Sequence, residues 1–143
     1  MSTNPKYIGP GYWVSWHLKS YSADTKNKKI EVARNIALDI SNFPCMECRN
    51  HAKRYVSKNP LTKAVDDKDP LSIFIWTYNF HNEVNARLNK KIFTLEEVKK
   101  MYSDKNVCVG DCTGDKEKKK EEISSFEDEG DEKEISEMLI RGF

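Results

Sequence analysis

Four cysteines stand in two close pairs, Cys45-Met-Glu-Cys48 and Cys108-Val-Gly-Asp-Cys112. The three histidines, His17, His51 and His81, each lie near an aromatic residue or a cysteine. Cys45 follows Pro44, and the residues after it read as a helix with that proline in its first turn. Exposed backbone N–H groups and the helix dipole at such a start stabilise a thiolate and lower the pKa of a cysteine. Two cysteines spaced by two residues in that position suit dithiol–disulfide exchange. The same spacing also forms half of a zinc site, and His51 lies three residues after Cys48. Against zinc, 59 residues separate the pairs and the second pair opens a charged stretch, whereas a structural zinc more often staples nearby loops. Ordinary reduced thiols are the third reading. The cysteines by themselves leave all three open.

A second group of residues has the chemistry to hold a planar ligand. Trp13 and His17 are four apart and share one helical face. Farther on, Tyr78, His81, Asn85 and Leu88 follow at steps of three and four, ahead of Lys90 and Lys91. That stripe offers an aromatic ring, an imidazole, an amide and an aliphatic group in line. It could stack a flat ring system and hydrogen-bond its edge, with the lysines set against phosphates. A core helix with a satisfied histidine and a solvated lysine pair is the blander alternative.

The elements that must position these groups are helical. Tyr12 to Tyr21 reads as a short helix after Gly9, Pro10 and Gly11. Between Asn27 and Ile40, the residues Ile30, Ala33, Ile36, Ala37 and Ile40 fall on one face. Cys45 to Val56 forms another short helix, with Pro60 and Pro70 as later punctuation. Pro70 to Asn89 is apolar all round, which places it centrally or against a large ligand. Thr94 and Glu97 form a capping box for a fifth helix. No segment alternates like a strand. The expectation is an all-α bundle of four or five helices.

Composition narrows the function. The chain has 143 residues, 38% hydrophobic and 33% charged, with a formal net charge of +1. That balance argues against a dedicated nucleic-acid binder. No apolar run approaches the ~18 residues that cross a bilayer, so no membrane span is expected, and the start lacks the pattern of a secretory or mitochondrial leader. The charge is unevenly spread: residues 1–103 hold 17 Lys/Arg and 10 Asp/Glu, while residues 104–143 hold 7 and 13. Residues 115–134 have the composition of a disordered segment. A short apolar cluster, Ile135, Met138, Leu139, Ile140 and Phe143, ends the chain. The expected organisation is therefore a folded body over 7–103 and a flexible charged tail over 104–143. A body of that size in five short helices is marginal without a disulfide, a cofactor or a partner.

Three elements together carry a resemblance. Trp13-Val-Ser-Trp-His17, Pro44-Cys45-Met-Glu-Cys48 and the block from Trp76 through His81, Asn82, Val84, Asn85 and Leu88 to Lys90 occur in order. They resemble the Erv/ALR family of FAD-linked sulfhydryl oxidases over about residues 7–103. The stretches Cys45 to Leu61 and His81 to Lys91 are most similar to the short forms of large cytoplasmic DNA viruses.

The resemblance implies a four-helix bundle with a short fifth helix enclosing FAD. It implies that Trp13, His17, Tyr78, His81, Asn82 and Asn85 surround the flavin nucleotide. Lys90 would face its phosphates, Tyr102 would stand near the adenine, and Gly9 and Tyr55 would be further contacts. Cys45 would be the exchanging sulfur and Cys48 the one nearer the flavin. The implied reaction oxidises protein dithiols and reduces O2 to hydrogen peroxide, in a homodimer. Cys108 and Cys112, which follow the bundle instead of preceding it, would be a shuttle pair or a local structural disulfide. The implied setting is the host cytoplasm or virion of a virus, with the mitochondrial intermembrane space as the alternative. The competing reading is a zinc-binding helical interaction module without oxidase activity.

Overall fold

The computed structural model describes residues 4–103, and these are helical with no strand among them. The expectations for residues 104–143, including the tail, its apolar end and the Cys108/Cys112 pair, lie outside the described residues. Six helices follow one another: α1 (Pro5–Tyr21), α2 (Lys26–Asn42), α3 (Met46–Lys58), α4 (Leu61–Asp66), α5 (Ser72–Arg87) and α6 (Leu95–Ser103).

Helix α1 begins seven residues earlier than expected. Pro5 stands in its first turn, where a missing N–H costs nothing. Asn4 caps the end by accepting from the Lys6 N–H at 3.0 Å. The helix then runs through Gly9, Pro10 and Gly11, so these residues do not break it. Pro10 removes one intrahelical bond, but it does so in an end of the helix that is only partly buried.

Helix α2 starts on Thr25, whose Oγ1 accepts from the Lys28 N–H at 3.3 Å. Its buried face is Lys29, Val32, Ala33, Ile36 and Ile40, while Ala37 is exposed and Ile30 half-buried. The face is turned from the apolar count because Lys29 is drawn inward. Its Nζ donates to the carbonyls of Asp67 and Asp69, each at 2.7 Å, and so ties α2 to the end of α4.

The short α4 was not expected. Six residues are too few to show a periodic pattern. Only its packing marks it: Leu61 is buried, and Ser72 Oγ donates to the Ala64 carbonyl at 2.6 Å.

Helix α5 is central, as its composition requires. Ile73, Trp76 and Phe80 face one core shared with α2 and α3. Phe74 faces a second core built with Phe93 and with Val98, Met101 and Tyr102 of α6. Its end is a Schellman turn. Asn89 takes a left-handed φ of 54°, and the Lys90 N–H reaches the Asn85 carbonyl at 2.8 Å. The expected capping box is present ahead of α6, with Thr94 N–H on Glu97 Oε2 at 3.0 Å and Glu97 N–H on Thr94 Oγ1 at 3.2 Å.

Candidate redox and cofactor site

Cys45 and Cys48 are joined in a disulfide across the first turn of α3. Cys45 is the N-cap residue and the helix proper starts at Met46, so Pro44 lies ahead of the cap and not in the first turn as expected. Its Sγ accepts from the Cys48 N–H at 3.1 Å. The loop before it is held by Arg49, whose Nη1 donates to the Phe43 carbonyl. Both cysteines are half-buried, and Met46 between them is exposed. A sulfur at this point receives the unpaired N–H groups and dipole of α3, which favours its negative form when the disulfide opens. Bonded to each other, the two sulfurs are not thiolate ligands for a metal.

A buried cluster is built from α1, α5 and α6. The Tyr12 ring meets Phe43 edge-on at 5.0 Å, two residues before Cys45. The next residue, Trp13, stacks on His81 with ring centroids 4.0 Å apart and planes 5° apart. His17 and His81 are both buried, and His17 Nε2 lies 3.0 Å from His81 Nδ1. His17 Nδ1 is 3.0 Å from Thr77 Oγ1. The Tyr102 ring tilts against His17 at 5.1 Å.

The donors in this chain can be assigned from the hydrogen-bond network. Thr77 has one hydroxyl hydrogen and donates it to the Phe74 carbonyl at 2.7 Å. Its oxygen therefore accepts from His17 Nδ1–H, which leaves His17 Nε2 as acceptor for His81 Nδ1–H. Both imidazoles are neutral in this arrangement. Burial pushes His17 down to about 3. His81 is pushed lower still by burial, then by the neighbouring His17 and by the charge of Lys90.

Two polar atoms in the cluster have no hydrogen-bond partner among the described residues, Asn85 Nδ2 and Tyr102 Oη, although both are buried. A buried donor without a partner is costly. The pair, beside stacked Trp13 and the two imidazoles, suits a heteroaromatic ligand with acceptor atoms on its edge. The residues present fit a group of the flavin nucleotide type.

The other expected site residues surround this centre in other ways. Tyr78 Oη donates to the Phe93 carbonyl at 2.9 Å, and Asn82 bonds both the carbonyl and the N–H of Phe93 at 2.7 and 3.1 Å. They hold the connection between α5 and α6. Tyr55 of α3 stacks on Phe80 at 4.5 Å, and burial followed by the Glu83 charge raises its phenol to about 12. Lys90 is exposed just beyond α5. Gly9 is inside α1, and a Cβ there would meet nothing within 4 Å. Leu88, read as part of the stripe, is 51% exposed.

Thr77 escaped the sequence reading, though its position four residues before His81 placed it on the same face. Phe80 likewise joins Trp13, His51 and Tyr55 around one ring.

Residues 10–103 match the model of the Erv1 / Alr family. An FAD-linked sulfhydryl oxidase of African swine fever virus (isolate Pig/Kenya/KEN-50/1950) is 40% identical over 97 residues, covering 66% of this chain and 78% of the relative. A putative FAD-linked sulfhydryl oxidase 096R of Invertebrate iridescent virus 3 is 33% identical over 105 residues, covering 71% and 70%. A disulfide at a helix start, a neutral imidazole cluster and a family match spanning both lead to one conclusion: the chain belongs to the Erv1/Alr family.

Proposed function

We propose that this protein is a thiol oxidase that binds FAD and forms disulfide bonds in protein substrates, with O2 as final acceptor and hydrogen peroxide as product. The observation that carries the reading is the Cys45–Cys48 disulfide on the cap of α3, in a fold that also buries the cluster of Trp13, His17, His81, Asn85 and Tyr102. When bound, FAD supplies the two-electron acceptor that oxygen regenerates.

The chain's own residues perform the exchange. A substrate thiolate attacks Cys45 Sγ, a new S–S bond forms, and the old bond breaks with its electron pair on Cys48 Sγ. The second substrate thiol, deprotonated, attacks the substrate sulfur of that mixed disulfide and releases Cys45. The substrate leaves oxidised, and Cys45 and Cys48 hold the two electrons. Trp13, His17, His81, Asn85 and Tyr102 would hold and orient the cofactor, and Lys90 would supply positive charge for its phosphates. Tyr78 and Asn82 fix the α5–α6 connection that closes the site. Gly9 and Tyr55 complete the contacts.

The expected result is a yellow protein whose flavin band bleaches with dithiothreitol under nitrogen and returns in air. A colourless protein that takes up no added FAD overturns the reading.

Cys108 and Cys112 act as a dithiol relay that collects electrons from bulky substrates, raising the local thiol concentration at Cys45. Replacing both with serine is expected to lower oxidation of protein dithiols at least about tenfold while dithiothreitol is still consumed. Equal rates on both substrates remove the relay. The protein acts as a homodimer over residues 7–103. Its viral relatives favour the host cytoplasm or the virion as its place of action.

A further inference from the structure

His51 is a buried titratable group that the exchange just described does not use. It is 8% exposed and lies on α3 three residues after Cys48, a spacing that makes the two side chains neighbours on one helical face. Its Nε2 is 3.3 Å from Glu83 Oε1 of α5, and its ring lies nearly parallel to Phe80, 21° apart in plane. A carboxylate only accepts, so Nε2 carries a hydrogen.

The other groups around it are already engaged. Tyr55, one turn farther along α3, is held neutral by burial and by the same Glu83 charge. Arg49 is spent on the Phe43 carbonyl. From α2, Asp39 accepts from Trp16 Nε1 at 2.8 Å. Glu83 is the carboxylate that meets the imidazole N–H.

We propose that His51, protonated and held by Glu83, is the charge partner that keeps Cys48 as a thiolate once the disulfide opens, with Glu83 as a positioning residue. The idea rests on the thiol-oxidase reading but adds to it. In the exchange, the electron pair of the broken S–S bond arrives on Cys48 Sγ as negative charge. An imidazolium one turn away balances that charge without a proton having to come from solvent. When Cys48 later gives up its electron pair, the positive charge remains on His51.

The test reads Cys48 directly and needs neither flavin nor oxygen turnover. In full-length protein carrying Cys45→Ser, Cys108→Ser and Cys112→Ser, Cys48 is the sole thiol, and serine is itself a good N-cap at position 45. The rate of iodoacetamide alkylation against pH gives the midpoint of thiolate formation. Adding His51→Gln is expected to raise that midpoint by about one pH unit, the effect of losing a nearby opposite charge. Alkylation at pH 6 then slows about tenfold. Glu83→Gln, at a half-exposed side chain, raises it by a smaller but resolved amount, and Glu83→Asp restores most of the parent behaviour. An unmoved midpoint in either His51→Gln or Glu83→Gln, in protein with the parent's helical circular dichroism, overturns the proposal. A colourless or inactive parent would instead count against the oxidase reading and leaves this titration measurable.

Discussion

Replacing Cys48 with serine is expected to abolish dithiol turnover, by on the order of 10³-fold or more, as is usual when a reacting sulfur or oxygen is removed. The reason lies in the geometry of the α3 cap. Without Cys48, Cys45 is a free thiol, so a substrate thiolate has no S–S bond to attack and no internal sulfur is there to receive the electron pair. Serine cannot substitute, because its hydroxyl neither forms an S–S bond nor ionises near neutral pH. The fold should survive: Cys48 is half-buried, and its N–H, which caps Cys45 Sγ at 3.1 Å, is unchanged by the substitution. Flavin content should be close to the parent's. Oxygen consumption with dithiothreitol measures the loss, and intact mass reports adducts trapped on Cys45. Turnover within tenfold of the parent would mean that the disulfide is structural and that the electrons take another route.

The second large effect is on acid stability. His17 and His81 are buried and neutral, with pKa values held below the ordinary 6.5, His17 at about 3 and His81 lower. For a base whose folded pKa is depressed, the unfolded chain takes up a proton that the native state refuses. The stabilisation is therefore complete above the unfolded value of 6.5 and is lost as pH falls from there toward the folded value. Each histidine costs about 1.4 kcal/mol per pH unit across that window. Between pH 7 and pH 5 the loss is about 2 kcal/mol per imidazole, or about 4 kcal/mol for the pair. That is a large part of the stability of a small domain. Urea unfolding at the two pH values measures it, and the imidazole NMR signals of His17 and His81 should not titrate between pH 8 and 5. Equal stability at both pH values would show that the cluster is open to water and protonates in place.

Much of this was legible in the chain itself. Helical periodicity in α2 and α5, the Thr94/Glu97 capping box and the scarcity of glycine and proline determined an all-α body, because these signals act over a few residues and tertiary contacts reinforce them. The apolar character of α5 on every side determined its central place, since no exposed helix could carry Phe74, Trp76 and Phe80 together. The spacing Cys45 to Cys48 after Pro44 determined a redox-capable pair at a helix start. It also carried the family resemblance that the match over residues 10–103 bears out.

Other features were decided only by the tertiary structure. Gly9, Pro10 and Gly11 read as a break, yet α1 runs through them, because the cap at Asn4 and Pro5 and the packing of Tyr12 and Trp13 outweigh their weak propensities. Helix α4 and the turned face of α2 depend on Lys29 reaching the carbonyls of Asp67 and Asp69, contacts 38 and 40 residues away in sequence. The stripe on α5 has three different fates. His81 and Asn85 lie in the cluster, Tyr78 is taken by Phe93, as is neighbouring Asn82, and Leu88 is left in solvent. Helical spacing places residues on a face, but which face meets α1, α6 or water depends on where those helices pack. The proton order through His81, His17 and Thr77 is decided the same way, by two helices brought together over some 60 residues of chain. Local sequence sets which groups are available, and packing between distant helices sets which of them meet.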